Sequence, residues 1–448
     1  MRARLLAVLL LSATATARAE ELPLLVTVGE VTESRAIMWV RSPDGGKVTV
    51  SWRRAAGGPQ ESRDLALSWR ADRTGKLVLS GLEPATRYRY RVERTNAGVD
   101  GEFATAPAPG SPTPVRFAWS ADLGSHGKCR LATGGYPIFR ALTQYPVDFF
   151  LFLGDTIYAD HVCAGPEFVP GDDFVARTLP QFHAKHRYNR ADSGVQDYFR
   201  RTPVYAIWDD HEVRNDFAGT VDPLMPVGLR AFIDYFPVAP PAGDPGRLYR
   251  SVRWGDLVEI FILDTRQYRS ANSELDGPGK TMLGAAQKRW LLDGVAGSTA
   301  TWKFVISSVS FSIPKGGAAL DSWSNASPKG VPQEGATGFA VERNQILREL
   351  RDKKVTNLVV LAADVHHAEL IRHYPTPEWS FHEFIAGPLS ASPGRPRPLD
   401  QALNPRSIWA LGGVDSFGEV AVSASSLTVR IIDADGTVRY THTMGPER

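Results

Sequence analysis

Six residues of metal-binding type stand just beyond four apolar runs of this 448-residue chain. Asp122 follows VRFAWSA, Asp155 and Tyr158 follow VDFFLFLG, Asp210 follows VYAIWD, and Asp364 and His366 follow TNLVVLAA. Taken singly each is weak, because Gly-Asp and Asp-x-Gly after a strand are also ordinary turns. Taken together they are mostly oxygen donors with one imidazole and one phenol, a set that suits two hard or borderline cations and not a structural zinc. A phenol ligates only a cation acidic enough to take its proton. With Asp155 shared, two cations about 3.5–4 Å apart could clamp both oxygens of an in-line phosphoryl displacement and supply hydroxide near neutral pH. The residues therefore point to phosphoester hydrolysis.

Other ionisable groups crowd the same positions. Asp209, His211 and Glu212 flank Asp210, and four such groups at one strand end would be costly in a plain core. Asp264, Arg266, Tyr268 and Arg269 follow the run LVEIFIL. The two arginines form either an internal ion pair or a fork for phosphate oxygens. The basic segment 182–203 reads as helical, with a solvated face as the expectation.

The elements that must position these residues are short and apolar. Runs of five to seven β-rich residues read as buried strands, and open sheets place ligands beyond their strands' carboxyl ends. From residue 115 strands alternate with helical stretches such as PIFRALTQY and GAAQKRWLLDGV, which argues α/β architecture. Before that, AIMWV, KVTVSW, KLVLSGL and TRYRYRV alternate with Gly, Pro and Asp, which predicts a β-sandwich. The expected divisions are a sandwich over 20–107, a proline-rich linker over 108–114 and a catalytic domain over 115–448. Segment 313–337, rich in Gly, Ser and Pro, is a long loop that could cover the site.

Composition narrows the class. With 51 basic and 49 acidic residues the chain has no electrostatic footprint for nucleic acid, so an anion must be held locally. Residues 1–19 read as a secretory leader: Arg2 and Arg4, an apolar Leu5–Leu11, then Ala17-Arg18-Ala19. No later segment is long and apolar enough to span a bilayer, so a chain in the periplasm or outside the cell is expected, and a monomer is the expected state. In such a compartment Cys129 and Cys163 either bridge two loops near the site or remain as buried thiols.

The ordered motifs GDTIY, WDDHEV, DTRQYR, the Gln287/Trp290-Leu291 helix and the closing DVH resemble the alkaline phosphatase D family of calcineurin-like metallophosphoesterases. A more distant likeness is to purple acid phosphatases. LSGLEPATRYRYRV is similar to the fibronectin type III signature, with Leu82, Pro84 and Tyr88 in a buried turn. The resemblance implies a four-layer α/β/β/α catalytic domain with metals between the loop ends of two sheets. It makes Asp122, Asp155, Tyr158 and His366 ligands of iron(III), and Asp155, Asp210 and Asp364 ligands of a divalent ion, with calcium the first choice and zinc, manganese or iron the others. His211 would give a proton to the leaving alkoxide, Arg266 and Arg269 would neutralise phosphate, and Asp209 and Glu212 would orient the ligands. The activity implied is that of an alkaline phosphomonoesterase (EC 3.1.3.1). The alternatives are phosphodiester or phospholipase D-like cleavage at the same site, or a surface binding protein with a degenerate site. Three departures stand out: Asp122 replaces the cysteine of well-known members, Ala363 replaces a glycine, and the strand at 302–311 lacks the usual Val-x-x-His.

Overall fold

The computed structural model describes residues 22–125 and 127–447, so the leader expected at 1–19 lies outside the described residues. Strands Val115–Ser120, Phe149–Leu153 and Val204–Ile207 run parallel, which requires helical crossovers between them. Helix Ile138–Thr143 makes the first crossover, and helices Leu179–Arg190 and Ser193–Phe199 make the second. Ser416–Val422, Leu427–Asp433 and Val438–Met444 extend this sheet antiparallel from Val115–Ser120. A second sheet of seven strands has the order Arg250–Trp254, Val258–Ile262, Trp302–Ile306, Leu358–Ala362, Trp379–Ile385, Ala368–Thr376 and Pro405–Leu411.

The two sheets face each other, and that explains why their strands are apolar on both sides. Phe149 points inward to Trp254, with ring centroids 4.7 Å apart, and Phe117 meets Phe304 edge-on at 5.2 Å. The next residue, Phe150, points outward and packs on Tyr198 at 5.7 Å. Helix Gly284–Gly297 covers the second sheet through Trp290 on Phe261, and helix Ala340–Asp352 lies beside it in the same core. The result is the expected α/β/β/α layering.

The N-terminal strands form the expected sandwich. Leu25–Gly29, Arg35–Arg41 and Thr74–Ser80 face Glu61–Leu67, Gly46–Arg54, Arg87–Arg94 and Ala97–Ala104 across a core that includes Val28, Met38, Trp52, Tyr90 and Phe103. Within it the Tyr88 hydroxyl accepts the Glu83 amide at 2.8 Å, beneath buried Leu82. The sheet does not stop at the sandwich's edge. Leu25–Gly29 lies parallel to Val204–Ile207 through Gly29 and Val204, so one nine-stranded sheet runs through both parts.

Segment 182–203 differs from its expected form. It breaks at Asp192, whose carboxylate caps the second helix by accepting the Val195 amide at 3.1 Å. Its basic residues are not all solvated: Arg190 is buried, donates to the Tyr235 carbonyl at 2.9 Å and lies 4.5 Å from the Trp39 ring centroid. Aromatic faces take the place of water around that guanidinium.

Candidate metal centre

The parallel strands of both sheets end at one rim, and the backbone turns sharply there. Asp122, Asp155, Asp364 and His366 have φ of 66°, 47°, 67° and 57°, the left-handed region that costs a non-glycine residue energy. Each strand thus ends abruptly and its side chain stays at the rim. Gly154, at φ 106°, is required by crowding as well, since a Cβ there would sit 2.4 Å from the Asp209 Cβ. Glu212 ties these loops together. Its carboxylate accepts the Thr156 amide and hydroxyl at 2.6 Å each, the Asp209 amide at 2.8 Å and the Asp155 amide at 3.2 Å.

Several overlapping sets of candidate ligand atoms gather at the rim, one of them Asp155, Asp210 and His211, and two bring together the expected ligands. Asp122, Asp155 and His366 place one atom each within 4.8 Å of one another, and so do Asp155, Asp209, Asp210 and Asp364. Asp155 belongs to both. The Tyr158 hydroxyl lies 3.2 Å from His366 Nε2, while His366 Nδ1 is 2.8 Å from the Ser392 carbonyl, which aims Nε2 at the cluster. Asp209, expected only to orient its neighbours, joins the second set: Arg266 and Ser308 hold its Oδ1, each at 2.6 Å.

The site fits cations. Both oxygens of Asp122, and one each of Asp155, Asp209, Asp210 and Asp364, are buried without a hydrogen-bond partner among the described residues. Unpaired buried carboxylate oxygens are costly unless positive charge meets them. Burial, then repulsion from neighbouring acids, pushes Asp122 and Asp155 well above the ordinary carboxylate range. Burial likewise carries Asp364 to about 7, against the pull of Lys315. At Asp210 burial is outweighed by Lys315, Arg266 and His211, which hold it well below that range. Burial and the charges of Asp155, Asp122 and Asp210 raise the Tyr158 phenol far above its usual value.

His211 stands over the centre. Its amide donates to Asp155 Oδ1 at 3.2 Å, and its Nδ1 lies 2.7 Å from Asp160 Oδ1. Burial would lower its pKa, but Asp210 and Asp160 outweigh burial and raise it. Asp160 went unnoticed in the sequence, although it lies only two residues beyond Tyr158.

Arg266 and Arg269 are buried within the protein. Arg266 makes a two-pronged contact with Asp321 at 2.8 and 2.9 Å and holds Asp209 with its Nε, while Arg269 also pairs with Asp321. Both side chains are fully buried, so the expectation that they neutralise phosphate gives way to the other reading, an internal ion pair. Asp321 carried no sequence signal, and neither did Lys315. Lys315 rises from the 313–337 loop to Asp364 Oδ1, 3.8 Å from Asp210 Oδ2 and 3.8 Å from Asp321 Oδ2. The two cysteines are bridged, which ties the loop after Asp122 to the loop after Tyr158.

Paired sheets between helices, with an acid-rich rim shared by both, are an architecture that recurs among solved phosphatase structures. A structure of PhoD superposes with a TM-score of 0.76 at 20% identity, covering 94% of this chain and 90% of that one. Purple acid phosphatase PPD1 from yellow lupin seeds superposes with a TM-score of 0.66 at 14% identity, covering 95% of this chain and 74% of that one. The chain belongs to the PhoD-like phosphatase family, whose sequence model matches residues 123–430. Alkaline phosphatase D of Bacillus subtilis (strain 168) is 27% identical over 323 residues, which is 64% of this chain. The matched region spans 52%, about half, of that relative's length.

Proposed function

We propose that the chain is a secreted or periplasmic metal-dependent phosphoester hydrolase acting on small phosphate esters, with alkaline phosphomonoesterase chemistry (EC 3.1.3.1). One observation carries the reading: Asp155 lies in two ligand sets at once, and the orphaned carboxylate oxygens around it ask for two cations. Asp122, Asp155, Tyr158 and His366 would hold iron(III). Asp155, Asp210 and Asp364, joined by Asp209, would hold a divalent partner such as calcium. Tyr158 supports iron, because a phenol raised so far gives up its proton only to a strongly acidic cation. The buried disulfide accords with an oxidising compartment.

When bound, the cations supply Lewis-acid polarisation of the phosphoryl group and a nucleophile at neutral pH. The protein's own groups do the rest. Glu212 fixes the backbones that carry Asp155 and Asp209, so the carboxylates keep their spacing without rearranging. Asp160 engages His211 Nδ1 and favours its protonated form, leaving Nε2 as the atom that delivers a proton to the departing alkoxide. Asp321 holds Arg266 and Arg269 in place, and Arg266 in turn steadies Asp209.

The test pairs elemental analysis and a visible spectrum of the purified protein with hydrolysis of p-nitrophenyl phosphate and of its bis ester. Iron with a tyrosinate absorption and faster monoester turnover is expected. Preference for the bis ester would make the enzyme a diesterase, and a metal-free protein inert toward both esters would sink the proposal.

A further inference from the structure

Phosphate brings negative charge to an acidic rim, and a side-chain cation beside the bound metals would add to what they neutralise. The arginines first considered are buried and committed to Asp321. Lys315 is placed differently. Its side chain is 19% exposed, and it comes from the long loop beside the rim and not from a strand.

The split of oxygens around Lys315 shows that it and a cation need not compete. The ammonium contacts Asp364 Oδ1 and lies nearest Asp210 Oδ2, whereas the orphaned oxygens of those residues are Oδ2 and Oδ1. One oxygen of each carboxylate is thus left for a cation while Lys315 attends to the other. An ammonium has three N–H donors. Among the described residues only the Asp364 contact is at hydrogen-bonding distance, since Asp210 and Asp321 stand 3.8 Å away. Donors therefore remain to reach an oxyanion at the mouth.

We propose that Lys315 is a substrate-contacting residue: one N–H steadies Asp364 and another donates to a phosphoryl oxygen. The inference rests on the hydrolase reading for the identity of the anion. Its test does not need turnover. Inorganic phosphate is titrated calorimetrically into the metal-loaded full-length protein, its Lys315→Gln variant and its Lys315→Arg variant, with metal content measured on each sample. Lys315→Gln is expected to keep its metal and bind phosphate at least about tenfold more weakly, as loss of one charged hydrogen bond implies. Lys315→Arg keeps the charge and should bind phosphate more tightly than Lys315→Gln. Lys315→Met takes the place of a glutamine variant that fails to fold. Unchanged phosphate affinity in the glutamine or methionine variant overturns the inference, and so does loss of metal, which would make Lys315 a positioning residue only. A parent that binds metal and phosphate through Lys315 yet cleaves no ester would sink the hydrolase reading and leave this one standing.

Discussion

Asp155 touches both ligand sets, so changing it should cost more than changing any other single ligand. Asp155→Asn is expected to release metal and remove aryl phosphate hydrolysis, by elemental analysis and initial rates. His211→Ala should keep its metal and lose roughly 10²–10⁴-fold in rate, the usual contribution of a general acid. The Asp160 contact gives this a pH signature. Asp210 and then Asp160 favour the charged imidazole, so His211 holds its proton more firmly than an ordinary histidine. If the protonated form is the working acid, activity falls as pH rises through that pKa. Asp160→Asn lowers the pKa and should move the alkaline limb of the rate profile to lower pH. A limb that stays put would remove His211 from the proton step.

Two residues beyond strands Val115–Ser120, Phe149–Leu153 and Leu358–Ala362 the backbone turns left-handed, and the loops that follow need bracing. Glu212 is one brace, from inside. The Cys129–Cys163 bridge is another, closing 34 residues that include strand Phe149–Leu153. By chain entropy such a bridge is worth about 3–4 kcal/mol. The Cys129→Ser/Cys163→Ser protein should lose close to that in urea unfolding and should bind metal more weakly, because the loops carrying Asp122 and Tyr158 are freed together. Stability equal to the parent would show that the bridge only follows a fold already made. Segment 313–337 was legible as a loop near the site from its Gly, Ser and Pro content. That it delivers Lys315 and Asp321 was not, because a lone lysine or aspartate in such a loop looks like any solvated residue.

Across the whole molecule the sandwich and the catalytic layers share one sheet and several buried or part-buried bonds. The Val26 amide donates to Gln196 Oε1 at 2.9 Å, Trp39 Nε1 donates to the Asp234 carbonyl at 2.8 Å, and Arg250 Nε pairs with Glu30 at 2.7 Å. The joint is Gly29, where a Cβ would fall 2.2 Å from the Val204 carbonyl oxygen. Gly29→Val is therefore expected to destabilise the full chain by about 3 kcal/mol, the cost of overpacking, in a single thermal transition. Two separate transitions, with only the first shifted, would show the sandwich to be an independent unit.

Much of this protein could be read from its chain because its signals are local. A buried strand between two layers must be apolar on both faces, so each stands out as a run, and the polar residue that follows marks the rim. Asp122, Asp155, Tyr158, Asp210, Asp364 and His366 were singled out that way, and the fold gathers Asp122, Asp155 and His366, and Asp155, Asp210 and Asp364, into compact sets. What only the tertiary structure decided was where the remaining charges go. An arginine beside an aspartate suits a substrate fork or a buried pair equally well in sequence, and Asp321, some fifty residues away, chose the pair. Asp160 and Lys315 owe their roles to groups far along the chain, and electrostatics depends on distance in space, which no spacing in sequence records.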